Sequence, residues 1–411
     1  MMKSNKRTIR DTLGRDPVHP FPARMAPGIA LDIVSQATAP LRVLDPMMGS
    51  GTVLAVARSR GHRAVGIDID PLAVLISRVW TTAVDPVEAR EKAAEVLEFA
   101  RKIFVTLAAR DAFPQNADDE TRKFVRFWFD PHARRQLASL AASVGRVRDA
   151  VVRDALWCGF SRLIITKQSG ASLAMDLSHS RPHKSFGSAP VNPFDKFLSA
   201  VDRVVANCVN KRTPNRGPAT STHEGDARRI PLGNASIDLV LTSPPYLNAI
   251  DYVRCSKFSL VWMGYSIPDL RRLRAEGVGA EGRRGAIMDD REIRLVVSQM
   301  GLNPMLAPRD EALLWRYIDD MRSALRETSR VLVPGGKAIY VVGENTIKGT
   351  FIRNSVAVSA VAQLAGLQLS GRQTRELPAN RRYLPPPAKG RTAALDGRMR
   401  REVVLTFTRP S

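Results

Sequence analysis

The stretch from Ile237 to Tyr246, IDLVLTSPPY, constrains this chain more than any other. Ile237, Leu239, Val240 and Leu241 form a short apolar run of the kind that makes a buried strand. The run stops at Thr242-Ser243-Pro244-Pro245-Tyr246. A strand cannot continue through two prolines, because each lacks the N–H that a ladder needs and each fixes its own φ. Ser243 and Pro244 both precede a proline and are pushed towards extended conformations. The expected product is a stiff corner at a strand's carboxyl end, where open α/β sheets place their ligands.

That corner carries a particular set of groups. Pro244 and Pro245 contribute carbonyl oxygens with no N–H beside them, Ser243 a hydroxyl, and Tyr246 a flat face with a polar tip. Acceptors converging beside an aromatic face suit a planar base with an exocyclic amino group. A rigid proline turn after a core strand would read the same in isolation, so the rest of the chain decides. Leu241-Thr242-Ser243-Pro244-Pro245-Tyr246 resembles the catalytic motif of the amino-methylating DNA methyltransferases, in which Asp, Asn or Ser precedes Pro-Pro-Tyr or Pro-Pro-Phe. The serine form is typical of the cytosine-N4 branch. The resemblance implies that Ser243, Pro244, Pro245 and Tyr246 are catalytic.

Upstream, Leu41 to Asp45 reads as a strand ending in an acid, followed by PMMGSGT over Pro46 to Thr52 and helical composition from Val53 to Arg60. Strand, glycine turn and helix in that order give a glycine motif its meaning. Gly49 and Gly51 let the backbone turn sharply and approach a ligand closely. No Gly-Lys-Ser/Thr is present, so the turn is not a triphosphate cradle. It resembles the Asp-Pro-Phe-x-Gly-Ser-Gly-Thr motif of the same methyltransferases, with Met47 where Phe is usual. The implied cofactor is S-adenosylmethionine, held by Asp45, Met47, Gly49, Gly51 and Thr52. Ala64 to Asp68 is a second strand ending in an acid, where a Rossmann-like fold grips ribose hydroxyls; Asp68 takes that role. Asp70-Pro71 has the form of a helix N-cap and first helical residue. Thr222 to Asp226 resembles the third strand and its acid, which places Asp226 at the adenine. His19 to Met25 resembles the segment before the cofactor strand, with Phe21 as the aromatic that packs on the cofactor.

Residues 86–217 read as mostly helical and are too long for an ordinary connection. They form an insertion between the second and third strands, suited to target recognition. Residues 1–85 are then a basic arm and the first half of the methyltransferase domain, and 218–411 its second half. Within that half, Asp251 to Gly264 has helical spacing, Leu270 to Ala307 reads as an exposed Arg- and Gly-rich loop, and Leu314 to Leu325 mark a long amphipathic helix. Strands at Lys337–Val342, Leu367–Glu376 and Val403–Thr408 bring the total to seven. This order matches the Rossmann-like class I methyltransferase fold: α/β, a seven-stranded mixed sheet with its last strand antiparallel, here with a helical insertion.

Charge supplies the partner. Lys and Arg number 62 against 40 Asp and Glu, a formal charge of +22, which favours a polyanion. Candidate nucleic-acid contacts are Arg181, His183 and Lys184 in the insertion, Arg271, Arg272, Arg283 and Arg284 in the Arg-rich loop, and Arg381 and Arg382 near the end. Cys158, Cys208 and Cys255 are isolated and the six histidines scattered, so neither a disulfide framework nor a metal site is expected. No apolar run is long enough for a bilayer, and no h-region follows the basic start, so a cytoplasmic, nucleoid-associated protein is expected. The reading is a methyltransferase acting on cytosine N4 in double-stranded DNA, with a cognate restriction endonuclease as the partner such an enzyme would have. Adenine-N6 methylation, RNA base methylation and an inactive, basic nucleic-acid-binding module of the same fold are the alternatives. Intact glycines, acids and SPPY speak against the last.

Overall fold

Seven strands form one sheet: β1 (Arg42–Asp45), β2 (Arg63–Asp68), β3 (Thr220–Glu224), β4 (Ile237–Thr242), β5 (Leu332–Gly343), β6 (Gln368–Glu376) and β7 (Arg401–Thr408). Their spatial order is β6-β7-β5-β4-β1-β2-β3. Neighbours from β5 through β3 pair in parallel, whereas β7 runs antiparallel to both β5 and β6. This is the Rossmann-like class I methyltransferase sheet. The strand order reverses between β1 and β4, and a crevice at that switch point is where such sheets bind ligands. The computed structural model describes residues 7–21, 25–175, 177, 182–213, 217–245, 247, 253–280, 290–303, 305–347, 350–376 and 401–411.

Helices α1 (Ile9–Leu13), α2 (Pro27–Val34), α3 (Thr52–Ser59) and α4 (Pro71–Thr81) surround the first half of the sheet. Asp70 caps α4 through a 2.9 Å bond from the Leu72 N–H. Between β2 and β3 come α5 (Pro86–Thr106), α6 (Asp119–Trp128), α7 (Pro131–Val144), α8 (Ala150–Ile164) and α9 (Pro193–Val205). Each of these five starts on a side-chain cap: Asp85, Asp118, Asp130, Asp149 and Asn192 accept first-turn N–H groups, which satisfies donors a helix start otherwise leaves orphaned. The inserted helices share one apolar core with the sheet's own helices. Phe129, Leu137 and Phe160 pack in the same cluster as Leu72 and Trp80 of α4 and as Phe258 and Trp262 beyond β4.

Helices α10 (Val253–Leu260), α11 (Ile267–Glu276), α12 (Arg291–Met300), α13 (Pro308–Val331) and α14 (Asn354–Leu364) complete the chain. The expected loop over 270–307 is therefore corrected: its ends are helices. Ser266 and Asp269 form a capping box that starts α11, and Ile293, Val296 and Met300 bury one face of α12. Arginine is a good helix former, so an Arg-rich composition does not argue for a loop. Strand β5 also starts earlier than Lys337. The Gly335 N–H donates to the Arg409 carbonyl, and the Arg409 N–H donates to the Gly336 carbonyl, both at 2.9 Å. The Pro334-Gly335-Gly336 turn is thus tied to the end of β7. No described helix is long and apolar enough to cross a membrane.

Candidate active site

The carboxyl ends of β1 and β4 lie side by side, with Val43 opposite Leu239 and Leu44 opposite Val240. Thr242 Oγ1 donates to Asp45 Oδ1 at 2.7 Å, between two buried residues. This bond joins the strand of the glycine motif to the strand of the proline corner. Asp45 also accepts from the Met47 N–H at 3.2 Å. Asp45, expected at the cofactor, is 3% exposed, and these two bonds place it between the motifs rather than on the open surface. Its burial pushes the carboxyl up to about 7, against the opposing pull of the two bonds.

That shift has a sign. An aspartate titrates near pH 4 in an unfolded chain, so the folded protein gains from Asp45 being protonated below about pH 4 and loses that gain as the pH rises through about 7. Asp45→Asn keeps an oxygen for Thr242 and Met47 and cannot ionise. Its melting temperature should rise relative to wild type as the pH goes from about 4 to about 7. A difference that stays constant across that window would contradict the assignment.

At the glycine turn Gly49 and Gly51 both have positive φ, 49° and 82°. The Gly49 N–H donates to Asp68 Oδ2 at 2.8 Å, and the Asp70 N–H to Asp68 Oδ1 at 2.9 Å. Burial raises the Asp68 carboxyl above its ordinary value, opposed by these backbone bonds. The Ile69 N–H bonds the same carboxylate, so three backbone donors hold Asp68 and the acceptor capacity left over is chemically suited to a ribose hydroxyl. A Cβ at Gly49 would stand 3.7 Å from Phe21 Cε1, which puts the buried Phe21 ring over the turn. Gly51 is different: a Cβ there would fall 2.2 Å from Ser77 Oγ of α4. The expectation that Gly51 clears space for a ligand is corrected, because a packed helix fills that space. Met47, in the place of the usual Phe, is half-buried against the core on the α13 side. Its neighbour Met48 is buried.

The turn fits an amino-acid-bearing nucleoside. Helix α3 has Gly51 at its N-cap and no side-chain cap, so its first-turn amides suit a carboxylate. Thr52 Oγ1 beside them is buried without a hydrogen-bond partner. At the third strand the outcome differs from expectation. The Asp226 carboxylate is held on both oxygens by Arg228, at 2.6 to 3.0 Å, and Arg228 also pairs with Asp320 of α13. Asp226 therefore serves an ion-pair cluster instead of presenting an unpaired acceptor to adenine. Glu224, in register with Asp68, hydrogen-bonds Tyr265, whose hydroxyl is pushed up to about 12 chiefly by burial. Glu224 and Tyr265 stand far apart in the chain and share no local sequence signal.

Ser243 follows β4 and is half-buried; its hydroxyl donates to the Val341 carbonyl of β5 at 3.0 Å. With its one proton committed, Ser243 can meet a ligand only as an acceptor. Pro244 is buried and Pro245 half-buried. Tyr246 lies outside the described residues. Beyond the corner, Ser256 of α10 donates to Asp70, whose carboxyl burial also pushes up to about 7. Ser259 Oγ lies 2.9 Å from Ser161 Oγ of α8, itself 2.9 Å from His19 Nε2. These buried links tie α10 to the start of α4, the insertion and the segment before Phe21. Serines three apart on an otherwise apolar helix face are the signal that could have announced them.

The candidate nucleic-acid residues are scattered. His183 and Lys184 are exposed and form a two-residue strand against Ala174–Met175, with Lys184 Nζ 4.9 Å from the centre of the Phe127 ring. Arg271 and Arg272 are exposed on α11, where they pair with Glu120 and Asp269. Arg181, Arg283, Arg284, Arg381 and Arg382 lie outside the described residues. Among the described residues no group of three or more His, Cys, Asp or Glu could hold a metal ion. All three cysteines are buried, and burial raises the Cys158 and Cys208 thiols, which disfavours the reactive thiolate.

No family model matches the chain. It is similar to the Type II methyltransferase M.MvaI of Kocuria varians, 23% identical over 364 residues, which covers 83% of this chain and 79% of that protein. It is also 23% identical over 371 residues to the Type II methyltransferase M.AvaI of Nostoc sp., covering 80% and 73%. Among solved structures it superposes on a TehB-like SAM-dependent methyltransferase from Corynebacterium glutamicum with a TM-score of 0.30 and 11% identity, over 92% of this chain and 86% of that one.

Proposed function

We propose that this chain is a DNA methyltransferase that uses S-adenosylmethionine and modifies the exocyclic amino group of cytosine at N4. One observation carries the reading: the bond from Thr242 to Asp45 sets the Ser243-Pro244-Pro245 corner against the glycine-turn strand at the sheet's switch point. Similarity to two Type II methyltransferases over most of the chain supports DNA as the substrate. When bound, S-adenosylmethionine supplies an electrophilic methyl group. Asp68 would take the ribose hydroxyls, the first turn of α3 and Thr52 the amino-acid end, and Phe21 would pack on the cofactor. Asp226, once its pairing with Arg228 is counted, is the weakest of the proposed contacts.

The amino nitrogen of a cytosine is a poor nucleophile, because its lone pair is delocalised into the ring. Acceptors fixed beside it stabilise the positive charge that grows there as a methyl group arrives. Ser243 Oγ and the Pro244 carbonyl would be those acceptors, with the base flipped from the duplex and stacked on Tyr246. The proton lost from nitrogen leaves after transfer, and no covalent enzyme intermediate is required. The excess positive charge would hold the duplex through its phosphates, with the exposed His183, Lys184, Arg271 and Arg272 among the contributors. Mass spectrometry of nucleosides from DNA methylated by the purified protein tests the reading. N4-methylcytosine is expected. N6-methyladenine alone would keep the enzyme class and overturn the base, and methylation of RNA alone would overturn the substrate.

A further inference from the structure

The proline corner is held at one end by β5 and at the other by the short strand that follows it, and only one of the two attachments involves a residue assigned above. At its entry, Ser243 Oγ donates to the Val341 carbonyl. At its exit, the Leu247 carbonyl accepts from Asn345 Nδ2. Asn345 opens a short strand, Asn345–Ile347, that pairs antiparallel with Thr350–Ile352, so its backbone is set by a hairpin. Its side chain is set by a second amide: Asn354 Nδ2 donates to Asn345 Oδ1 at 3.0 Å and to the Gly343 carbonyl at 2.8 Å. Asn354 is fully buried at the first turn of α14. With its oxygen facing Asn354, Asn345 can only point its NH₂ group at Leu247. Leu247 contributes a buried side chain to the β4–β5 core, so its carbonyl is presented by a residue that is itself anchored.

We infer that Asn345 is a positioning residue for methyl transfer, oriented by Asn354, and that it fixes the exit of the corner so that the Ser243 and Pro244 acceptors keep their aim. The inference rests on the reading of the corner as the catalytic site. Two consecutive prolines stiffen the corner, so an error at either end is carried to the acceptors instead of being absorbed between them. Displacement of such groups by about an ångström can cost about a hundredfold in rate.

The test is Asn345→Asp, which keeps the shape but offers an acceptor to an acceptor, together with Asn354→Ala and the double variant, all in the full chain. Single-turnover methylation should fall between about tenfold and a hundredfold, with S-adenosylmethionine affinity within about twofold of wild type by calorimetry. The double variant should lose little more than Asn345→Asp alone, because the two amides act as one unit. Hydrogen exchange of the peptide spanning Thr242 to Leu247 should quicken in both single variants while the β1–β2 peptides keep their protection. A wild-type rate in Asn345→Asp would overturn the inference. So would a rate loss matched by an equal loss of cofactor affinity, or quickened exchange throughout the sheet, either of which marks a purely structural residue. The exchange result needs no methyl transfer. It therefore still reports on Asn345 if the wild type proves inactive on DNA, an outcome that would count against the proposed function alone.

Discussion

Replacing Ser243 by alanine should lower the methyl-transfer rate about a hundredfold, the effect of removing roughly 3 kcal/mol of preorganised stabilisation from the reacting nitrogen. Cofactor affinity should hold, because Ser243 follows β4 and is not among the residues proposed to hold the cofactor. Stability should fall slightly: the Val341 carbonyl loses the donor it now has at 3.0 Å, a loss worth about 1 kcal/mol. Single-turnover transfer of a tritiated methyl group, run with calorimetry of S-adenosylmethionine binding, separates the two effects. Wild-type turnover in this variant would remove Ser243 from the mechanism. A parallel loss of cofactor binding would mean the hydroxyl works through the sheet and not on the base.

Much of this site is legible in the sequence, and the reasons are local. A strand that runs into two prolines must stop, so the end of β4 follows from covalent chemistry. Asp70-Pro71 and Asp85-Pro86 announce helix starts because a cap and a fixed φ act within a few residues. What stayed hidden depends on partners far apart in the chain. Asp226 and Arg228 are two residues apart, but nothing near them shows that Arg228 will also reach Asp320, 92 positions away, and so be locked in an ion-pair cluster. Nothing near Thr242 shows that its hydroxyl will close on Asp45, 197 positions away. The arginines of α11 misled for a different reason. Exposed helix faces and loops share their composition, and only the Ser266–Asp269 box and the spacing of Ile293, Val296 and Met300 tell them apart.

The two glycines of the turn should separate packing from ligand approach. Gly51→Ala places a methyl group 2.2 Å from Ser77 Oγ, 2.8 Å from Ser77 Cβ and 3.1 Å from Ser77 Cα. A hydroxyl can rotate away, but Cβ and Cα cannot, so α4 must shift. Overpacking of this kind costs about 1–3 kcal/mol, and the left-handed backbone at a φ of 82° adds about 1 kcal/mol for a residue with a Cβ. Chemical denaturation should therefore show the variant about 2–4 kcal/mol less stable whether or not cofactor is present. Adding Ser77→Gly should recover part of this, less the roughly 1 kcal/mol that glycine costs inside a helix. Gly49→Ala meets only an ordinary contact with Phe21, at 3.7 Å, so it should lose only the roughly 1 kcal/mol that a Cβ costs at a φ of 49°. Its new methyl group stands between the Phe21 ring and the turn, so S-adenosylmethionine affinity should drop at least about tenfold, or about 1.4 kcal/mol. The opposite pattern would restore the reading made from the sequence. If Gly51→Ala kept its stability and lost the cofactor, α4 would have yielded and the ligand, not the helix, would be what position 51 must accommodate.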